Sequence, residues 1–229
     1  NDLGYNIRVC GAAMPLYRFM HCPGIDILGE QTQEYLTVKQ CTSVANQYGR
    51  PMVLSETYGC TGWEFTFEGQ KWLGDWQFVM GVTRRCQHLT QYSIAGCRKR
   101  DYPPVFNYQT TWWEYNHLME TYFARLSACV TTGEVVRHVL VLHPITSLWT
   151  MCKSSPRENL DHIEMNMGWL DSHITDLNRL GEEYNRLANM MLGAHWDFDF
   201  GDEIILGENA SVDNKMLRVG IRRYDTVVV

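Results

Sequence analysis

The sequence predicts an α/β fold made of two successive domains. Through the first part of the 229-residue chain, short apolar runs alternate with amphipathic stretches, which is the pattern of βα units around a parallel sheet. Residues 50–56 are almost continuously apolar, as expected of a strand buried on both faces. A second strongly apolar strand, residues 139–144, follows a change in composition. We therefore expect one domain at residues 1–133 and another at residues 134–229.

The first domain contains four predicted strands and three predicted helices. Glycines and prolines between the apolar segments mark the turns. The strands are predicted at residues 6–13, 24–28, 50–56 and 82–92, and the helices at residues 34–48, 70–80 and 112–130. The last helix has apolar residues at steps of three and four, which predict one buried face formed by Tyr115, Leu118, Met119, Tyr122, Leu126 and Cys129.

The second domain combines strands with a helical insertion. Strands are predicted at residues 139–144, 196–200 and 226–229, and the insertion at about residues 157–192. Its seven-residue repeat fits either a coiled-coil seam or a helical hairpin broken near Gly181. The repeat consists of Leu160, Ile163, Met167, Leu170, Ile174, Leu177 and Leu180. The acidic residues Asp199, Asp202 and Glu203 lack the ligand spacing of an EF-hand, so we predict no metal there.

The charge balance excludes two classes of partner. With 20 Lys and Arg against 26 Asp and Glu, the net charge is −6, and only the run Arg98-Lys99-Arg100 clusters cations. General nucleic-acid binders and proteins of anionic membranes need larger basic clusters. No apolar run approaches the roughly 18 to 20 residues that span a bilayer. We therefore expect a soluble chain without a nucleic-acid or membrane partner.

The termini and the cysteines suggest a cytoplasmic fragment. The chain opens on Asn1 without a Met and stops inside a β-branched run at Val229, so we expect further upstream and downstream parts. Its eight cysteines are widely spaced and form no C-x-x-C pair. This spacing predicts free, buried thiols in a reducing compartment and no zinc site.

Candidate functional residues lie at the ends of the predicted strands. Asp26, Glu56, His88 and Tyr92 follow three apolar strands, and the carboxyl ends of parallel strands meet at one edge of a sheet. We expect Glu56 to carry chemistry, and Asp26 to bind a hydroxyl or a cation. The alternatives are a surface or capping carboxylate for Glu56 and a structural histidine for His88.

Two loops supply aromatic and cationic residues. The glycine-containing loop at residues 58–64 carries Trp63, whose ring could stack on a sugar. We expect one of Trp112 and Trp113 to do the same and select Trp113, whereas Trp72 and Trp76 have the spacing of core residues. The proline-stiffened loop at residues 96–104 presents Arg98 as a donor to hydroxyls or a carboxylate. The alternative is a loop that forms salt bridges to a neighbouring domain.

The absence of other motifs narrows the function. The sequence has no glycine-rich phosphate loop, no G-x-S-x-G elbow and no H-E-x-x-H pair. Kinase, dinucleotide-binding and serine-hydrolase functions are therefore excluded.

The order of these motifs resembles large bacterial glycoside hydrolases with a (β/α)₈ catalytic barrel. The resemblance covers about the whole chain and is nearest to the α-L-rhamnosidase type of glycoside hydrolase family 106, with a looser likeness to barrel β-galactosidases. The segments that carry it are residues 49–56, 71–76, 81–82, His88, Tyr92-Ser93 and Tyr102-Pro103-Pro104.

The resemblance implies the C-terminal half of a TIM-type barrel followed by part of a flavodoxin-like α/β domain. Glu56 would end strand seven and act as nucleophile, or as general base in an inverting enzyme. The second carboxylate would lie on strand four, before Asn1, so the fragment alone should be inactive. The resemblance also makes calcium a candidate cofactor, although the residues themselves predict none.

The expected function is cleavage of a terminal rhamnoside- or galactoside-like sugar from an oligosaccharide or glycan. Asp26, Trp63, His88, Tyr92, Arg98 and Trp113 would bind the substrate. One alternative is a non-catalytic carbohydrate-binding or assembly module, in which the aromatic residues bind a glycan without cleaving it. Another alternative is a structural α/β repeat that has lost its site.

Overall fold

The structure is a computed structural model that describes residues 3–100, 102–151 and 175–229. It confirms a mixed α/β fold. The helices are α1 (Leu3–Cys10), α2 (Ala13–Tyr17), α3 (Tyr35–Gln47), α4 (Phe67–Val79), α5 (Asn116–Thr131), α6 (Ile145–Met151), α7 (Thr175–Gly193) and α8 (Glu203–Asn209). The strands are β1 (Gly24–Asp26), β2 (Leu54–Thr57), β3 (Arg84–Gln87), β4 (Val139–His143), β5 (Phe198–Asp202), β6 (Ala210–Asp213), β7 (Met216–Val219), β8 (Arg222–Tyr224) and β9 (Thr226–Val228).

The chain divides into two compact units, each assembled from separate segments. We call Met20–Glu34 together with Gly49–Val136 the N-terminal sheet unit. The C-terminal sheet unit comprises Asn1–Phe19, Tyr35–Tyr48 and Arg137–Val229. The last passage between the units, at Val136 and Arg137, lies close to the domain boundary that the sequence predicts. Compact units need not coincide with domains, so the division at residues 133 and 134 stays a prediction.

The N-terminal sheet unit contains a parallel sheet in the order β1-β2-β3. Strands β1 and β3 lie within predicted strands, β2 ends one residue beyond a predicted one, and α4 and α5 nearly coincide with predicted helices. A 3₁₀ helix at Gly96–Arg100 and another at Trp113–Tyr115 interrupt the segment between β3 and α5. A mainly aromatic core cluster of this unit consists of Tyr58, Phe65, Leu73 and Phe106, with Trp76 and Trp112 packed against it.

Two details of this unit correct the sequence prediction. The buried residues of α5 are Asn116, Met119 and Phe123, whereas Leu118 is exposed, so the predicted buried face is rotated. Phe123 decides the orientation because its ring lies against Phe78 and beneath the Arg85 guanidinium. Trp72, predicted as a core residue, is half exposed on α4.

The C-terminal sheet unit contains a parallel sheet in the order β5-β4-β9 and an antiparallel sheet in the order β6-β7-β8. Strands β4, β5 and β9 occur where the sequence predicts strands. The elements α6, α8 and β6 to β8 are not predicted by the sequence, because they are short. The buried core includes Leu140, Leu148, Phe198, Phe200 and Ile205.

Helix α3 covers the outer edge of β5. The Phe200 N–H donates to Ser43 Oγ at 2.8 Å, and Gln47 Nε2 donates to the Phe200 carbonyl at 2.8 Å. The side chains of α3 therefore satisfy backbone groups that an edge strand would otherwise expose. Because of this role, α3 is buried over residues 36–47 although half of its residues are polar.

The predicted strand at residues 6–13 is wrong, since this segment lies in α1 and at the start of α2. Leu3 and Ile7, four residues apart, both pack into the core of the unit, which is the spacing of a helix. The Asn6 side chain accepts a hydrogen bond from the Ala13 N–H at 3.0 Å and joins the two helices.

The predicted insertion is only partly described. Residues 157–174 lie outside the described residues, and the repeat positions Leu160, Ile163, Met167, Leu170 and Ile174 lie there with them. Helix α7 continues through Gly181, so the predicted break at that glycine is wrong.

The cysteines also differ from the prediction. The seven described cysteines are free, but Cys41 alone among them is buried, and Cys10, Cys86, Cys97 and Cys129 are exposed. Among the described helices, none has the length and apolar character that a bilayer crossing requires.

Candidate functional site

The carboxyl edge of the β1-β2-β3 sheet brings three predicted site residues together. Asp26 and Glu56 are register partners at the ends of β1 and β2, and His88 directly follows β3. The His88 Nε2 atom lies 3.9 Å from Glu56 Oε1. The Glu56 side chain is 41% exposed and that of His88 is 24% exposed. A carboxylate on the central strand is thus open to solvent, with a polar neighbour on either side.

The turn after β2 is shaped to hold this edge. The Gly59 carbonyl accepts from the Gly29 N–H at 2.7 Å, and the His88 N–H donates to the Thr57 carbonyl at 2.8 Å. A Cβ atom on Gly59 would lie 3.4 Å from both His88 Cγ and Leu28 Cδ2. The glycine therefore lets the turn pack directly against the histidine ring.

The electrostatics couple the two carboxylates. Partial burial raises the pKa of Asp26, the negative charge of Glu56 raises it further, and His88 lowers it. Burial also raises the pKa of the Cys60 thiol, and the charge of Asp26 adds to this effect. Asp26 thus holds a proton more readily than a free aspartate because it is partly buried and because a second carboxylate lies close by.

Sequence reasoning did not select Tyr102 or Cys60 as site residues. The Tyr102 ring meets the His88 ring edge-on, with the centroids 6.1 Å apart. The charges of the loop at residues 96–104 drew attention to Arg98, whereas the signal for Tyr102 is its place just before Pro103 and Pro104. Cys60 could have been found from its place in the turn that directly follows β2.

The Trp63 loop and the cationic loop are tied to each other. Trp63 Nε1 donates to the Lys99 carbonyl at 2.9 Å, and the Gly62 N–H donates to the Pro103 carbonyl at 2.8 Å. Trp63 remains 37% exposed, so part of its ring is free for a ligand. The two loops are therefore joined to each other by two hydrogen bonds.

The other predicted binding residues lie further out. Arg98 is exposed on the 3₁₀ helix Gly96–Arg100, and its carbonyl accepts from Gln91 Nε2 at 3.2 Å. Tyr92 is 98% exposed, and Trp113 begins the second 3₁₀ helix. Within the described part of the chain, no hydrogen bond or ring contact joins Tyr92 or Trp113 to Glu56. Their role in binding stays a prediction.

In a second polar cluster of this unit, the side chains bind one another and the backbone. The Tyr58 hydroxyl donates to the Gln70 carbonyl and accepts from Arg85 NH1, each at 2.8 Å. Arg85 also pairs with Glu120 at 3.2 Å. Burial is the main reason that the pKa of Tyr58 rises to about 12. This cluster anchors the turn that follows β2, and its exposed member, Glu120, accepts from both Arg85 and Gln87.

The three acidic residues that the sequence singles out in the C-terminal sheet unit also have hydrogen-bond or ion-pair partners. Asp199 pairs with Arg137 at 2.6 Å, Asp202 accepts from the N–H groups of Ile204 and Ile205, and Glu203 accepts from Thr146 and Ser147. No group of three or more His, Cys, Asp or Glu side chains among the described residues could hold a metal ion. Calcium stays an expectation of the family resemblance.

Comparisons with known proteins show a likeness of fold. No protein-family model and no curated protein sequence matches the chain. Among solved structures, the chain is similar to a rhamnosidase from Novosphingobium sp. PP1Y, with a TM-score of 0.61 and 20% sequence identity. The likeness covers 93% of this chain and 19% of the rhamnosidase chain. The chain therefore shares the fold of about a fifth of that protein's length.

Proposed function

We propose that the chain is part of a glycoside hydrolase that removes a terminal rhamnoside- or galactoside-like sugar from an oligosaccharide or glycan. The observation that carries the proposal is the half-exposed Glu56 carboxylate at the end of the central strand, with Asp26 and His88 beside it. The fold likeness to a rhamnosidase supports the same assignment. In this proposal Glu56 is the catalytic carboxylate.

Hydrolysis of a glycosidic bond uses two carboxyl groups. They lie about 5 to 5.5 Å apart in retaining enzymes and about 6.5 to 9.5 Å apart in inverting enzymes. Glu56 would attack the anomeric carbon in the first case, or take a proton from the attacking water in the second. The second carboxyl group, which acts as the general acid, would come from a part of the protein outside this chain.

The remaining site residues would bind the sugar. Asp26 and His88 flank Glu56 and offer hydrogen bonds to ring hydroxyls, and Trp63 offers an exposed aromatic face for the C–H groups of the sugar. Arg98, Tyr92 and Trp113 would contact more distant parts of the glycan. No step of this reaction is assigned to calcium.

The proposal includes a finer account of the fold. Strands β1, β2 and β3 would be the sixth to eighth strands of a (β/α)₈ barrel, and the β5-β4-β9 sheet would belong to a flavodoxin-like domain. The strands of the β1-β2-β3 sheet are all parallel, and so are those of the β5-β4-β9 sheet, which favours this arrangement. The order β1-β2-β3 follows the chain, as neighbouring barrel strands do.

A carbohydrate-binding module is the second candidate function. The observation that favours it is the exposure of Tyr92 and of part of Trp63, because exposed aromatic rings bind sugars without any catalytic group. In such a module Glu56 would accept hydrogen bonds from hydroxyls and no bond would break.

The test is a Glu56→Gln variant of the natural full-length protein, assayed on aryl rhamnosides and galactosides. Loss of the catalytic carboxylate should lower kcat by about 10²- to 10⁴-fold, because a positioned acid or base contributes that much. Glu68→Gln, an exposed residue in the first turn of α4, is the matched control and should keep normal turnover. Turnover by Glu56→Gln at the normal rate would refute the catalytic role. Sugar binding without turnover by the unmodified protein would favour the binding module.

A further inference from the structure

The His88 ring turns its Nε2 atom toward Glu56. The distance from Nε2 to Glu56 Oε1 is 3.9 Å. The other ring nitrogen, Nδ1, is buried and has no hydrogen-bond partner among the described residues. Within the described part of the chain, Nε2 is therefore the ring nitrogen that faces a polar group, and that group is the candidate catalytic carboxylate.

Three contacts fix the position of this ring. The His88 N–H donates to the Thr57 carbonyl at 2.8 Å, which ties the residue to the end of β2. The turn after β2 packs against the ring, since a Cβ atom on Gly59 would lie 3.4 Å from His88 Cγ. The Tyr102 ring meets the imidazole edge-on, at an interplanar angle of 81°. Contacts with the backbone, the turn and an aromatic ring thus limit the directions in which Nε2 can point.

The segment that carries Tyr102 is itself bonded to both neighbours of the imidazole. The Pro103 carbonyl accepts from the Gly62 N–H at 2.8 Å, which joins the segment to the turn after β2. The Phe106 N–H donates to the Leu89 carbonyl at 2.9 Å, which joins it to the residue that follows the histidine. These two bonds keep the Tyr102 ring against the imidazole.

The chemistry proposed for Glu56 needs a group that directs its carboxylate. A carboxylate that attacks an anomeric carbon, or takes a proton from water, works when it is ionised and correctly oriented. The neighbouring Asp26 carboxylate repels its charge. An N–H group aimed at Glu56 opposes this repulsion, and hydrogen bonds to an ionised acceptor are stronger than those between neutral groups. His88 also lowers the pKa of Asp26, so the ring acts on both carboxylates.

We propose that His88 is a positioning residue for Glu56, whose Nε2–H group holds the carboxylate in the direction that the reaction requires. The separation of 3.9 Å closes to a hydrogen bond when a sugar fills the site, as catalytic hydrogen bonds commonly tighten on substrate binding. Tyr102 keeps the ring in place. This inference rests on the proposed glycoside hydrolase function and gives His88 a role beyond its contact with the sugar. The observation that carries it is the confined ring whose Nε2 atom faces Glu56.

The test compares two amide variants of His88 in the natural full-length protein, assayed on aryl rhamnosides and galactosides. Glutamine carries its side-chain N–H at about the position of Nε2, whereas asparagine carries it at about the position of Nδ1. His88→Gln should therefore keep kcat within about threefold, and His88→Asn should lower kcat by about 10- to 100-fold. KM is measured as well, because the loss of a sugar contact alone raises KM and leaves kcat unchanged. His117→Asn, at an exposed histidine of α5, is the matched control and should change neither.

Two variants of Tyr102 test the support of the ring. The edge-on contact uses the aromatic ring and not the hydroxyl, so Tyr102→Phe should keep kcat. Tyr102→Ala should lower kcat by about two- to tenfold, which corresponds to the loss of one aromatic pair. If Tyr102→Ala keeps normal kcat, the part assigned to Tyr102 is wrong. The Tm of every variant is measured, because a structural effect lowers Tm without producing a difference in kcat between His88→Gln and His88→Asn.

The outcomes separate this inference from the proposed function. A loss of kcat in His88→Asn that His88→Gln largely restores supports the positioning role. If His88→Asn keeps normal kcat, or if both variants lose kcat equally, the positioning role is overturned and the hydrolase proposal stays intact. If the unmodified protein turns over neither glycoside, the hydrolase proposal fails, and the positioning role that rests on it fails as well.

Discussion

Each parallel sheet of the molecule brings a histidine and a carboxylate together at its carboxyl edge, but the two pairs differ in burial. In the N-terminal sheet unit, Glu56 and His88 lie 3.9 Å apart and both are partly exposed. In the C-terminal sheet unit, His143 Nδ1 lies 3.5 Å from Asp202 Oδ2, and both side chains are almost wholly buried. The same pairing of residue types therefore occurs in an open and in a closed setting.

The hydrogen bonds explain the roles of the closed pair. Asp202 Oδ1 accepts from the Ile204 and Ile205 N–H groups at 3.0 and 3.2 Å, which caps α8. Gln40 Oε1 accepts from Asn6 Nδ2 at 2.9 Å, so Gln40 Nε2 donates to His143 Nε2, 3.1 Å away. Burial and these bonds leave the closed pair a structural role, whereas Glu56 remains open to a ligand.

The largest expected effect concerns the buried carboxylate Asp199. Arg137→Met removes its charged partner and leaves Asp199 buried beside Asn46 and Tyr224. Breaking a buried ion pair in this way typically costs about 3 to 5 kcal/mol, so we expect a loss of that size in the free energy of unfolding. Urea denaturation followed by circular dichroism measures it. The control is Arg125→Met, at an exposed position of α5. An equal loss in the free energy of unfolding in both variants would contradict the structural role of Arg137.

The second prediction compares the two histidine–carboxylate pairs directly. Asp202→Ala removes the cap of α8 and the acidic neighbour of His143, which should lower the free energy of unfolding by about 1 to 3 kcal/mol. Glu56→Ala should change it by less than about 0.5 kcal/mol, since Glu56 is partly exposed and accepts no hydrogen bond from described residues. The same denaturation experiment checks both. If Glu56→Ala destabilises the protein as strongly as Asp202→Ala, the distinction between an open and a closed pair is wrong.

The smallest effect is a pH dependence from Lys39 on α3. Burial and, to a smaller extent, the charge of Arg137 lower the pKa of Lys39, Asp197 at 2.8 Å partly offsets these effects, and the resulting pKa is about 8. Between that value and the ordinary lysine pKa of about 10.4, the unfolded chain binds more protons than the folded one, so stability rises with pH. Relative to Lys39→Met, the unmodified protein should gain about 1 to 2 kcal/mol between about pH 7 and pH 9.5.

Comparison with Lys39→Met isolates this contribution from other groups that titrate in the same range. In this variant Asp197 keeps its pair with Arg137 at 2.7 Å, so the network is not dismantled. Stability is read from urea denaturation at each pH. If the free energy of unfolding changes with pH in the same way in both proteins, the buried charge of Lys39 does not destabilise the folded state.

Helix α3 shows why the sequence pattern alone does not predict which polar residues are buried. The sequence predicts a helix at residues 34–48, and the helix forms at the predicted place. The structure buries Lys39, Ser43 and Gln47 because a lysine partner, Asp197, and a strand edge, Phe200, meet them from more than 150 residues away in the chain. No local pattern carries information about partners at such separation.

The sequence by itself determined the α/β class, the places of the strands of the two parallel sheets and the position of Glu56 near the end of one of them. Burial on both faces leaves a continuous apolar run, and the residue that ends the run is visible in the same pattern. The tertiary structure alone decided that residues 6–13 form helices, which face of α5 is buried, and which acidic residues are open. Those properties depend on partners distant in the chain, such as Arg137 for Asp199 and Gln40 for His143. Glu56 stays partly open to solvent because no such partner encloses it among the described residues.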